Sequence, residues 1–171
     1  MTAVLRDDRQ LLPMSIATLD VVMGIETVAY EFPWSRGNFI DSLAAGYEAR
    51  VLVDGQANIV GYLVAMAGVE EMHLLNLTVA PGQQSRGHAR HMLDGLVSLC
   101  RLRQAGQLWL EVRETNQRAR ALYLRYGFRH VGVRRGYYPA ALGRREDAAV
   151  MSFDVDPHAG DHRDGAPHAL D

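Results

Sequence analysis

Apolar positions along this chain change period several times, and each change marks an element. Residues 11–14 form a short apolar run suited to a first strand. Ser15 or Thr18 then starts a helix that continues towards Tyr30, and Pro33 ends it. Ser35 caps a second helix whose inner stripe is Phe39, Ile40 and Leu43. Residues 49–53 and 59–67 alternate as strands around Asp54-Gly55, a hairpin signal. Residues 72–79 add a further strand, giving an antiparallel meander. A long helix follows, with Ala89, Met92, Leu93, Leu96, Val97 and Cys100 at helical spacing. Residues 108–113 alternate again, with Leu108, Leu110 and Val112 on one face and Trp109, Glu111 and Arg113 on the other. Glu114, Thr115 and Asn116 can cap a short helix striped by Ala119, Leu122, Tyr123 and Tyr126 and ended by Gly127. Two closing strands, residues 128–133 and 148–153, are expected around a turn at Tyr137-Tyr138-Pro139. The pattern predicts a mixed α/β fold, antiparallel first, with a helix-linked parallel crossover later.

The passage from Asn76-Leu-Thr-Val79 through Pro81, Gln84, Ser85, Arg86, Gly87 and His88 to Ala89 and Arg90 carries the most chemistry. A strand stops at Pro81, a polar loop with two glycines follows, and a helix opens. The first turn of a helix leaves backbone N–H groups without internal partners, and the helix dipole favours negative charge there. Gly87 removes a Cβ that would hold a ligand off the backbone, and Ala89 is nearly as small. The loop therefore suits a diphosphate, although the same pattern also serves as a plain connection. Neither the dinucleotide fingerprint GxGxxG nor the P-loop GxxxxGK[ST] is present.

Composition narrows the classes. At 171 residues, one domain with a substantial core is expected. The formal net charge of −2 argues against a general nucleic-acid binder, which is usually strongly basic. No apolar run reaches the length of a membrane span, and the opening residues lack a signal-peptide pattern. Cys100 is the single cysteine, so no internal disulfide forms, and its place on an apolar stripe suits a buried thiol. His88 and His91 lie three apart without a third ligand at metal-site spacing, so no metal is expected. Residues 156–171 lack apolar periodicity and are expected to form a disordered tail after a folded unit of residues 1–155.

The segment Gln84-x-x-Gly87-x-Ala89 resembles the acetyl-CoA loop of the GNAT superfamily of N-acetyltransferases, with Ala89 in place of the second glycine. Further motifs fall in that superfamily's order. They are Phe32-Pro33-Trp34-Ser35, Leu108-Trp-Leu-Glu111-Val-Arg113, Asn116, Ala121-Leu-Tyr123, Arg135-Gly-Tyr-Tyr-Pro139 and Gly143-Arg-Arg-Glu-Asp147. Together they resemble the ribosomal-protein-alanine N-acetyltransferase branch over roughly residues 10–154, with one additional arginine in the last segment.

The resemblance implies a GNAT acyl-CoA N-acyltransferase fold, its mixed and largely antiparallel sheet splayed where the Val79 and Glu111 strands part. It implies acetyl-CoA as co-substrate, Glu111 as general base and Tyr123 as general acid. Backbone groups of Leu77, Thr78 and Val79 would contact the thioester arm. Gln84, Ser85, Arg86, Gly87, His88, Ala89 and Arg90 would cradle the pyrophosphate, and Asn116 would add a contact. The implied acceptor is the α-amino group of an N-terminal alanine, in the small ribosomal protein bS18. Direct nucleic-acid contact and membrane association are not implied, the setting is cytoplasmic, and a monomer is the simplest state. Each residue keeps a plainer reading: Glu111 as a solvated edge residue, Tyr123 as core, Asn116 as a helix cap, Glu26, Glu31, Glu70 and Glu71 as scattered surface acids instead of an acidic path. Two other functions stay open, an acetyltransferase for small-molecule amines or other protein N-termini, and a non-catalytic acetyl-CoA-binding module.

Overall fold

A computed structural model describes residues 7–156. A seven-stranded sheet forms the middle layer, in the order β1-β2-β3-β4-β5-β7-β6. In chain order the elements are β1 (Gln10–Pro13), α1 (Leu19–Ala29), α2 (Arg36–Ala44), β2 (Glu48–Val53), β3 (Ile59–Ala67), β4 (Glu71–Val79), α3 (His88–Leu102), β5 (Gln107–Arg113), α4 (Gln117–Tyr126), β6 (Arg129–Pro139) and β7 (Arg145–Asp154). All neighbouring strands run antiparallel except β4 and β5. The expected tail at residues 157–171 and its histidines lie outside the described residues.

Alternation along the strands sends apolar side chains to two cores, one on each face of the sheet. On one face Leu19 and Val22 of α1 and Phe39 of α2 pack on Val51, Tyr62 and Val64. On the other, Met92, Leu93, Leu96, Val97 and Cys100 of α3 pack with Tyr123 of α4 on Leu63, Leu108 and Leu110. Cys100 is buried here, and burial pushes its thiol up to about 11, which suits packing and not nucleophilic attack. Helix ends follow the local signals. Ser35 Oγ accepts from the Asn38 N–H at 3.1 Å, and Asn116 Oδ1 accepts from the Ala119 N–H at 3.2 Å. Gly95 lets α3 lie against β1, since a Cβ there would run into Leu11 Cδ1.

Two features depart from the pattern expected of the sequence. Tyr137, Tyr138 and Pro139 belong to β6, and the reversal is made by residues 140–144. The register explains the difference: Arg134 pairs with Ala148 and Tyr138 with Glu146, so β6 carries a bulge between them. Gly136 turns that bulge at φ +57, and its N–H donates to Asp147 Oδ1 at 2.7 Å. The second departure is in β4. Val64 pairs with Asn76 but Ala65 pairs with Leu74, so Leu75 is an extra residue. Past it the side chains change sides: Leu74 and Leu77 both join the α3 core, while Asn76 turns towards α1 and bonds Glu26. Parallel pairing of β4 with β5 also stops at Leu74–Leu110. A bulge bends its strand, and here the bend coincides with the splay between the two central strands.

Candidate active site

Two cavities lie beside the splay and share part of their lining. A cavity of about 780 Å³ lies on the α3 side, lined by Leu77, Thr78 and Val79 of β4, by Gln84, Ser85, Gly87, His88, Ala89 and Arg90, and by α4. A second, of about 620 Å³, lies on the α1 side and is lined by Glu26, Glu31, Phe32, Trp34, Glu111, Arg113 and Tyr138. Tyr30, Leu77, Asn116, Ala119 and Tyr123 line both. The two cavities therefore adjoin at these residues, where the central strands part.

At the mouth of the first cavity Gly87 is the N-cap of α3, at φ +78. Ser85 is also left-handed, at φ +63, so the loop doubles back and delivers the chain into the helix's first turn. Uncapped N–H groups and the positive helix end face the cavity at this point. Arg90, Arg118 and Arg125 line the same cavity, and Arg118 Nη2 donates to Ser85 Oγ at 3.0 Å. These donors fit a phosphorylated cofactor with several negative charges. Arg86 is not among the lining residues, and its guanidinium donates to Gln83 Oε1 at 3.2 Å. Arg118 and Arg125 were not singled out from sequence, although their spacing with Leu122 puts all three on one helical face. Tyr30 was missed as well, because only the folded sheet brings α1 to the cleft.

Past Leu74 the edge of β4 that faces β5 has no strand partner among the described residues, so backbone groups of residues 76–79 border the cleft instead of a ladder. Glu111 projects from the face of β5 opposite α3, as its alternation with Leu110 and Val112 requires, and it reaches the cleft through the second cavity. Its side chain is 6% exposed, with His73 Nε2 at 2.5 Å from Oε2 and Arg134 Nε at 3.2 Å from Oε1. Glu111 is thus not a solvated edge residue. Tyr123 is packed edge-on against Phe128 and also lines both cavities, so a core role and a cleft role coexist. Burial, with smaller contributions from Tyr30 and Tyr138, holds its hydroxyl well above the ordinary tyrosine pKa.

The walls of the second cavity are aromatic. Arg113 lies over the rings of Tyr138, at 4.5 Å, and Phe32, at 5.3 Å, clamping the β6 end to the segment between α1 and α2. Tyr138 also donates to the Glu111 carbonyl at 3.0 Å. Of the acids considered from sequence, Glu26 and Glu31 line this cavity and Glu70 and Glu71 do not. His88 contacts Arg9 at 3.3 Å and His91 contacts Asp7 at 3.2 Å. Among the described residues, no group of three or more His, Cys, Asp or Glu could hold a metal ion.

The acetyltransferase (GNAT) family model matches residues 19–128, and the chain belongs to this family. It is an N-acetyltransferase, and its co-substrate is acetyl-CoA. The chain is similar to the [ribosomal protein bS18]-alanine N-acetyltransferase of Haemophilus ducreyi, 35% identical over 75% of this chain and 88% of the relative. The enzyme of the same name from Salmonella typhimurium is 33% identical over 83% of this chain and 95% of its own. Among solved structures, the ribosomal-protein-S18-alanine N-acetyltransferase from Escherichia coli is 30% identical, with a TM-score of 0.78 over 95% of this chain and 98% of that one.

Proposed function

We propose that this chain transfers the acetyl group of acetyl-CoA to the α-amino group of an N-terminal alanine, in ribosomal protein bS18. The relatives that carry this activity by name support the acceptor. The observation that carries the reaction is that the two cavities adjoin, with Tyr123 lining both and Glu111 lining only the second.

The first cavity holds the coenzyme's pyrophosphate at Gly87 and the α3 N-terminus, with Arg90, Arg118 and Arg125 supplying positive charge. The free edge of β4 at Leu77, Thr78 and Val79 offers main-chain groups to the acyl arm, and preorganised donors of this kind lower acyl-transfer barriers. Acetyl-CoA supplies an acyl group already activated as a thioester. Glu111 takes the proton that the incoming ammonium must lose before its nitrogen can attack. Tyr123 gives its proton to the departing sulfur, and its raised pKa requires that transfer to be local. A peptide α-amino group has a reference pKa near 8, so about a tenth is neutral at pH 7. A lysine amine near 10.4 asks two further units, about 3 kcal/mol, so the carboxylate suits an N-terminus better.

The test compares acetylation of peptides beginning with alanine against polyamines and aminoglycosides. It is joined to mass spectrometry of small ribosomal protein N-termini in cells with and without the protein. Acetylated bS18 that depends on the protein is expected. An unmodified bS18 in both, with turnover on small amines, refutes the acceptor assignment; acetyl-CoA binding without any turnover refutes the reaction.

A further inference from the structure

Glu26 is the deepest acid in the acceptor cavity wall, 1% exposed, and the mechanism above does not use it. Three donors converge on its carboxylate: the Tyr62 hydroxyl, the Trp34 backbone N–H at 2.9 Å and Asn76 Nδ2 at 3.3 Å. With its amide nitrogen committed to Glu26, Asn76 presents Oδ1 to Thr78, whose hydroxyl donates to it at 2.7 Å. A threonine hydroxyl has one hydrogen. In the 2.7 Å contact between the Tyr30 and Thr78 hydroxyls, Tyr30 is therefore the donor. Its other near neighbour, the Leu77 carbonyl at 3.4 Å, also only accepts. The Tyr30 hydrogen is thus turned into β4, and acceptor lone pairs remain on an oxygen whose residue lines both cavities. Burial foremost, with Glu26 adding to it, raises the Tyr30 pKa, so the phenol keeps the proton this arrangement needs.

We infer that Tyr30 is a further residue of the acceptor site, its oxygen accepting an N–H of the incoming amine, with Thr78, Asn76 and Glu26 fixing that polarity as positioning residues. The inference rests on the reading of the second cavity as the amine site. An attacking amine must aim its lone pair at the acyl carbon while its N–H groups find acceptors. Glu111 supplies one acceptor and Tyr30 a second. An alcohol has a single hydrogen and cannot satisfy both, so the pair selects nitrogen over oxygen nucleophiles.

The experiment measures kcat and KM for an alanine-initiated peptide with Tyr30→Phe, Thr78→Val, Thr78→Ser and the Tyr30→Phe/Thr78→Val double variant. Acetyl-CoA affinity is read by calorimetry in each. Tyr30→Phe and Thr78→Val are each expected to lower kcat/KM about tenfold or more, mostly through KM, as loss of a hydrogen bond to a charged group does. Thr78→Ser is expected to stay within about twofold of the parent, and the double variant to be no worse than either single, since one polarised chain is being broken. Additive losses, a serine variant as poor as the valine, or an unchanged peptide KM in Tyr30→Phe would overturn the inference. If the valine variant does not fold, Tyr30→Phe and Thr78→Ser still decide it. Glu111→Gln run alongside reports separately on the base: full turnover there sinks that assignment, whatever Tyr30→Phe does.

Discussion

Replacing Glu111 by glutamine removes one charge and no volume, and the structure separates its consequences. Glu111 lines the second cavity and not the first, where acetyl-CoA is proposed to bind, so acetyl-CoA affinity is expected to stay within about twofold. Its partners are His73 at 2.5 Å and Arg134 at 3.2 Å, with side chains 25% and 55% exposed. Water can solvate both once the carboxylate is gone, so the fold is expected to survive. The chemistry is not expected to survive as well. General base catalysis contributes about 10²- to 10⁴-fold, or roughly 3 to 5 kcal/mol of barrier. The loss has a predictable pH dependence, because about a tenth of a peptide amine is neutral at pH 7 and about nine tenths at pH 9. If Glu111 removes the proton from the incoming ammonium, the deficit shrinks by up to about tenfold over that interval. Initial rates on an alanine-initiated peptide, read by thiol release from pH 6 to 9, give the profile; calorimetry with acetyl-CoA gives the control. Turnover within threefold of the parent at every pH would refute the assignment of Glu111 as base.

Three further outcomes follow from the same geometry. Tyr123→Phe keeps the edge-on packing against Phe128 and is expected to fold, with kcat reduced by about 10²-fold or more; an unaltered rate and pH profile would return the residue to a packing role. Gly87→Glu puts a charged side chain at φ +78 on the helix mouth, adding about 1–2 kcal/mol of backbone strain and repelling phosphate. Acetyl-CoA affinity should fall below detection while circular dichroism remains native, and undiminished affinity would refute the cradle. His88 has its pKa lowered by burial foremost, then by Arg9 and Arg86, so the folded state prefers it neutral. The unfolded chain takes up the proton first as pH falls, so this contribution is present above the ordinary histidine value and lost as pH drops through the folded one. His88→Gln should therefore show a smaller loss of Tm between pH 7.5 and 5 than the parent, and identical slopes would count against it.

Local signals were enough for the elements that local chemistry fixes. Ser35 and Asn116 cap their helices because a side-chain oxygen satisfies orphan N–H groups within three residues. The apolar stripe on α3, the alternation on β5 and Gly127 at φ +122 are likewise written in short windows of sequence. So were Glu111, Tyr123 and the Gly87 loop as candidates, through motifs that keep fixed spacing. Pairing between distant strands decided the rest. In β4 the apolar alternation changes phase between Leu74 and Leu75, but a local window does not say which face each half of the strand takes. Its register against β3 makes that break a bulge and turns Asn76 and Thr78 towards Glu26. The bulge at Gly136 is likewise set by β7, which is why Tyr138 stands on a strand in the cleft wall and not in a turn. Periodicity tells which residues share a face, because it arises within a few bonds. Which faces meet, and where two parallel strands part to admit a ligand, depends on contacts between residues tens of positions apart, and those exist only once the chain has folded.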